Sequence, residues 1–172
     1  PFSLLFRVFI GGILSGIIVI LLSIFFKTYH YEYQTILQTF FYSFVIVGFT
    51  EELIKFLMTY FICYKDKAFN YHYDGIVYSC FLALGFATYE NILYVFQYQD
   101  WVLALYRGIL TVPAHVFFAC FMGYYLGLAK HYRRYHSYKK ERYYLALSFL
   151  VPTVLHGFFD FCLFSGSKIS LL

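Results

Sequence analysis

The run Phe44-Val-Ile-Val-Gly-Phe-Thr-Glu-Glu-Leu-Ile-Lys-Phe-Leu57 decides how this chain folds. Its apolar residues are continuous rather than alternating, and with its flanks the run is long enough to cross a bilayer as a helix. A spanning β-barrel strand would carry a polar residue at every second position, and this run does not. Inside it stand Glu51, Glu52 and Lys55. An ionisable side chain within a span costs several kcal/mol without a partner, so the three are candidate functional residues from the outset.

The rest of the chain is of the same kind. Of its 172 residues 62% are hydrophobic and 13% charged, against about 25% charged in soluble domains. With a mean hydropathy of +0.66 this composition reads as an integral membrane protein. Five apolar segments follow from length and punctuation: 2–26, 35–64, 74–97, 101–130 and 142–164. They predict an all-α fold, a multi-span transmembrane bundle of about five helices forming a single domain over 1–172. The first segment is too long, and lacks the small-residue cleavage site, for a signal peptide. The chain opens on Pro1 rather than methionine, which predicts a further N-terminal helix ahead of it.

Basic residues set the expected orientation. The loop after the fourth segment carries Lys130, Arg133, Arg134, Lys139, Lys140 and Arg142, whereas the loop before that segment carries only Asp100. The positive-inside rule therefore puts the 130–142 loop, Lys65 and Lys67 in the cytoplasm, and Lys27, Glu32 and the C-terminus with Lys168 outside a cell membrane. Orientation accounts for the net charge of +4 without nucleic acid as a partner. Tyrosines at the segment ends, in Tyr29–Tyr33, Tyr71–Tyr73 and Tyr132–Tyr138, read as interfacial belts, with His30, His72, His131 and His136 as solvated companions. Cys63, Cys80, Cys120 and Cys162 have no CxxC spacing and read as small packing residues. Gly12-x-x-x-Gly16 and Gly123-x-x-x-Gly127 permit close helix approach.

Few other polar groups fall inside the segments: Glu90, His115, His156 and Asp160, with Arg107 nearer an end, where it can snorkel to the interface. At about 1.5 Å per residue, Glu90 lies roughly 24 Å from Asp74, His115 about 21 Å from Trp101 and His156 about 21 Å from Arg142. All sit in the middle to outer half of the membrane, where four helices can point them into one cavity. Glu51 and Glu52 are four and three residues before Lys55, so one ion pair accounts for the lysine and leaves a carboxylate over. His156 and Asp160 are four apart, which lets the carboxylate orient the imidazole or lets both face a common ligand. Pro113 and Pro152 each free a carbonyl in the preceding turn and loosen the backbone near the histidines. Four carboxylates against one lysine leave about three excess negative charges, which protonated carboxyls, protonated histidines or a bound cation must neutralise.

As a set, Glu51-Glu-x-x-Lys55, Phe86-x-x-x-Glu90-Asn91, Pro113-Ala-His115 and His156-Gly-Phe-Phe-Asp160 resemble the motif series of the PrsW intramembrane proteases, over about 44–164. Pro1-Phe-Ser-Leu-Leu is similar to the end of the proline-rich segment that follows the first membrane helix in that family. The resemblance implies a bacterial multi-pass protease that makes the first, extracytoplasmic-side cut in a single-span substrate, an anti-sigma factor, before a second protease cuts within the membrane. The family is similar in turn to the CAAX prenyl endopeptidases and bacteriocin-immunity proteins of the Abi superfamily, which offer an alternative reading.

In those relatives the double glutamate is followed by arginine, the second motif ends in histidine and the last is His-x-x-x-Asn; here Lys55, Glu90 and Asp160 stand in those places. Carried over, their glutamic-protease mechanism makes Glu51 the general base, Glu90 its water-positioning partner, His156 the oxyanion donor and Glu52 the holder of Lys55. An ionised Asp160 would repel an oxyanion, and an ionised Glu90 has no proton to give. A divalent metal, zinc by donor type, resolves both conflicts, with His115, His156, Glu90 and Asp160 as candidate ligands and Glu51 as base. The metal and metal-free mechanisms both stay open on sequence. An ion-coupled transporter would also bury such groups, but there is no detectable inverted repeat.

Overall fold

The computed structural model describes residues 2–28 and 35–169. Pro1, the first tyrosine belt with His30 and Glu32, and the Lys168 side chain lie outside the described residues. Five helical rods make up the fold: α1 Phe2–Phe25, α2 over 36–64, α3 His72–Tyr98, α4 Trp101–Arg134 and α5 Tyr138–Ile169, with no strand among the described residues. Four are long and apolar enough to cross a membrane: α1, α3, α4 and α5 over Tyr138–Gly166. The rod α2 alternates α turns (Ile36–Phe41 and Phe49–Thr59) with π turns (Tyr42–Gly48 and Tyr60–Tyr64), and its backbone stays right-handed through every junction.

Local chemistry explains where the rods start and how apolar helices tolerate hydroxyls. Thr35 and Gln38 form a reciprocal capping box at α2, and Asp74 accepts from the Asn70 and Tyr71 amides ahead of α3. Asp100 accepts from the amides of Val102 and Leu103, after Gln99 turns the chain at φ 53°, so two residues suffice to join α3 to α4. Within the rods, Ser15, Thr59, Thr111 and Thr153 each donate to the carbonyl four residues back, leaving no hydroxyl of that group unpaired toward lipid.

The helices close into a ring in which α1 packs on α3, α3 on α4, α4 on α5, α5 on α2 and α2 on α1. Gly12 lets α1 approach the α3 backbone at Leu82, and Gly123 and Gly127 do the same for α4 at Gly75 and His72. The tightest core, including Leu4, Val8, Cys63, Tyr64, Leu82, Met122 and Leu126, fills the end of the ring nearest the 130–142 loop. Here Tyr64 and Arg133 both donate to buried Glu141, Lys130 donates to the Tyr64 carbonyl and Arg134 to that of Asn70. Two residues of the basic loop, Lys130 and Arg134, thus also tie α4 to the α2–α3 connection, and Arg133 ties it to α5. The belt tyrosines Tyr71, Tyr73, Tyr135 and Tyr138 are exposed at helix ends, as are His72 and His136. All four cysteines are free thiols, Cys80 and Cys120 facing each other across α3 and α4 with sulfurs 3.5 Å apart. Solid packing at one end leaves the other end of the ring hollow.

Candidate active site

The hollow end begins where α2 and α5 cross. Gly48 lies against the Gly157 backbone, and a Cβ on Gly157 would come within 2.6 Å of the Phe44 ring and 2.9 Å of the Phe44 Cα. Only glycine allows this approach, and it sets the π turns of α2 beside the His156 turn of α5, immediately before Glu51 and Glu52. π turns often mark functional positions, because the added residue rotates the side chains that follow. A Gly157→Val exchange is expected to cost about 1–3 kcal/mol by overpacking. Thermal unfolding of the purified protein in detergent reads this out, and an unchanged midpoint would show that the crossing relaxes freely.

Beyond the crossing, α2, α3, α4 and α5 each contribute charge. Glu51, Glu52, Lys55, His115, His156 and Asp160 are all buried, none more than 8% exposed. Lys55 Nζ donates to Glu52 Oε1 at 2.8 Å, to Glu51 Oε2 at 3.3 Å and to His115 Nδ1 at 3.2 Å, and lies 4.0 Å from the centre of the Phe86 ring. The lysine therefore serves three partners, not the single ion pair expected from helical spacing. Glu52 Oε1 also accepts from His156 Nδ1 at 2.8 Å, so this carboxylate orients the imidazole from another helix. On the far side of the same ring, Nε2 stands 3.4 Å from Asp160 Oδ2 and 3.9 Å from Glu51 Oε2. Three carboxylates surround one imidazole, an arrangement that requires a proton or a cation at Nε2. Phe118 stacks on the His156 ring at 5.1 Å and holds its plane.

Glu90 Oε2 accepts from His115 Nε2 at 3.0 Å and from Arg107 Nη2 at 2.9 Å. Arg107 is not at the interface. Its side chain is 13% exposed, its guanidinium lies 3.6 Å from the centre of the Tyr94 ring, and its Nε is buried without a partner among the described residues. The snorkelling expected for it is therefore corrected, because an anion two turns deep in α3 pulls the arginine inward. A signal was present in the sequence: Arg107, Thr111, Ala114, His115 and Phe118 form one helical stripe, and all five line the cavity. With Arg107 included, four carboxylates face two cations, and the formal excess falls from three negative charges to two.

Glu51, Glu90, Arg107, His115, His156 and Asp160 open onto one cavity of about 180 Å³, while Glu52 and Lys55 stand behind its wall. Its remaining walls come from the C-terminal part of α1, the N-terminal half of α2 and the C-terminal end of α3, all at the end of the bundle away from the basic loop. Donor atoms of Glu51, His115 and His156 lie within 4.8 Å of one another. Two imidazoles and a carboxylate are zinc-type donors, and an excess of two negative charges matches one dication, so these residues fit a divalent metal that takes over Glu51 and His115 Nδ1 from the Lys55 ammonium. The ligand set expected from sequence differs in its carboxylates. Glu90 is engaged by Arg107 and His115, and Glu51 is the acid that stands with the two histidines.

Apolar helices that bury carboxylates and imidazoles around a cavity are compatible with a membrane-embedded metal-dependent hydrolase. The chain belongs to the PrsW family of intramembrane metalloproteases, whose sequence model matches residues 1–172. It is 42% identical over 159 residues to Protease PrsW of Clostridioides difficile (strain 630), covering 90% of this chain and 64% of that protein. It is 38% identical over 176 residues to Protease PrsW of Oceanobacillus iheyensis, covering 100% of this chain and 75% of that protein. The match to Protease PrsW of Bacillus subtilis (strain 168) is 42% identical over 125 residues, 73% of this chain and 55% of that protein. The chain thus spans between about half and three quarters of these relatives' lengths. No solved structure matches it.

Proposed function

We propose that the chain is a single membrane-embedded peptidase domain that hydrolyses a peptide bond of a membrane-anchored, single-span protein in the outer half of the cell membrane. What carries the reading is the meeting of Glu51, His115 and His156 on one cavity at the end of the bundle opposite the basic loop. With the 130–142 loop cytoplasmic, that cavity faces the extracytoplasmic side, which suits a first cut of the kind the family resemblance implies, with an anti-sigma factor as substrate.

In this reading Glu51, His115 and His156 hold one divalent metal, zinc by donor type. The metal supplies Lewis-acid polarisation of a peptide carbonyl and acidifies water. Asp160 lies on the same wall, beside His156, and takes the proton from water entering the cavity. Glu52 holds the His156 ring through Nδ1, the carboxylate–histidine arrangement that fixes a ligand's tautomer. Lys55 offsets one of the two charges of the Glu51–Glu52 pair from behind the wall. Glu90 orients His115 through Nε2.

The test is reconstitution of the purified full-length protein with a single-span reporter carrying the membrane region of a candidate anti-sigma factor. Mass spectrometry of the products is expected to show one cut on the side of the membrane opposite the basic loop. Intact reporters together with gradient-driven ion uptake into sealed vesicles would overturn the reading in favour of a carrier.

A further inference from the structure

We infer that Arg107 is a positioning residue, which locks Glu90 onto His115 and so, together with Lys55 on the other nitrogen, fixes which nitrogen of that histidine faces the centre of the site. The inference rests on the peptidase reading above for its consequence, but not for its geometry. Tyr94 and Glu90 are four apart on α3 and present a ring face and a carboxylate on one side of the helix. The Arg107 guanidinium from α4 lies against both, 3.6 Å from the ring centre and 2.9 Å from Glu90 Oε2. A planar fork that can stack and donate at once is a property of arginine and not of lysine.

The same Glu90 oxygen takes the His115 Nε2 proton at 3.0 Å. A carboxylate held by one partner only can rotate into the cavity it lines, and glutamate has three side-chain torsions with which to do so. Held by two, it stays on Nε2. The tautomer of His115 is then the Nε2–H form, the form that Lys55, which can only donate, also selects at Nδ1, so Glu90 on one side and Lys55 on the other hold the ring together. Arg107 touches neither Glu51 nor His156 by any bond in the structure, so its influence on them runs through Glu90 and His115.

Two measurements on the full-length protein in detergent test this. Nitrogen NMR of ¹⁵N-histidine-labelled, metal-free protein reads the His115 tautomer, assigned by comparison with His115→Gln. The wild type is expected to show Nε2–H, Arg107→Gln a measurable rise of the Nδ1–H form against the continuing pull of Lys55 on Nδ1, and Arg107→Lys a smaller rise. Zinc titration then reads the consequence, with affinity about 10–100-fold weaker in Arg107→Gln, and no further loss when that change is added to Glu90→Ala. An unchanged tautomer in Arg107→Gln, or losses that add in the double variant, overturns the inference. A raised KM with tautomer and zinc affinity intact also overturns it, because Arg107 would then act on substrate directly. Wild-type protein that shows the tautomer effect but takes up no zinc leaves the positioning role standing and brings down the metal reading instead.

Discussion

Glu51→Gln is expected to lower cleavage by about 1,000-fold or more and to release the bound metal, whereas Asp160→Asn lowers cleavage by a comparable factor and keeps the metal. Both residues line the cavity and both face His156 Nε2, at 3.9 Å and 3.4 Å, so activity alone does not separate their roles. Metal content does. Glu51 stands with His115 and His156 in one cluster of donors, and if that cluster holds the metal, removing the Glu51 charge takes away a ligand. Asp160 lies one helical turn beyond His156 and outside that cluster. A missing proton acceptor slows the chemical step and leaves binding intact, so kcat falls with little change in KM. The check is elemental analysis of both variants beside single-turnover cleavage, with the thermal midpoint confirming that each is folded. The reverse pattern, with metal lost in Asp160→Asn and retained in Glu51→Gln, would exchange the two assignments and restore Glu51 as the base.

Much of this was legible in the sequence, for identifiable reasons. Apolar length fixes helices strongly, so the segment expected at 35–64 is helical over 36–64, and the one expected at 142–164 lies inside Tyr138–Ile169. The extension of α5 follows from charge, since Lys139, Lys140 and Glu141 are good helix formers and a hydropathy reading stops short of them. Burial cost made Glu51, Glu52, Glu90, His115, His156 and Asp160 stand out, because nothing else explains such groups in apolar helices. Partner choice was less accessible. Glu52 meets His156 across 104 residues and Lys55 meets His115 across 60, and helical spacing along one rod carries no information about either. The π turns of α2 were not readable from composition, and they decide the rotation of the double glutamate. Distance from the helix end alone makes Arg107 interfacial, whereas its stripe with Thr111 and His115 points inward to the cavity.

Stripping the metal with a strong chelator is expected to abolish cleavage, and adding back zinc to restore it, with His156→Ala beyond rescue. The reason lies in the charge around that ring. Glu52 holds one nitrogen, while Glu51 and Asp160 face the other, and Lys55 touches Glu51 and Glu52 but makes no bond to Asp160. Over the whole cluster, Lys55 and Arg107 answer two of four carboxylates. Two negative charges in a cavity walled by apolar helices need either one dication or two protons. The alternatives differ in a measurable way. A dication stabilises the folded protein by mass action, about 4 kcal/mol at a free concentration 1,000 times its dissociation constant, so chelation lowers the unfolding midpoint as well as the rate. His156→Ala removes both effects at once, since it deletes a donor and leaves Glu52, Glu51 and Asp160 without the group they share. Two protons give neither response to a chelator. Full cleavage by protein that contains no metal on elemental analysis would therefore transfer the neutralising charge to the imidazoles themselves, and Glu51 would then activate water unaided by any ion.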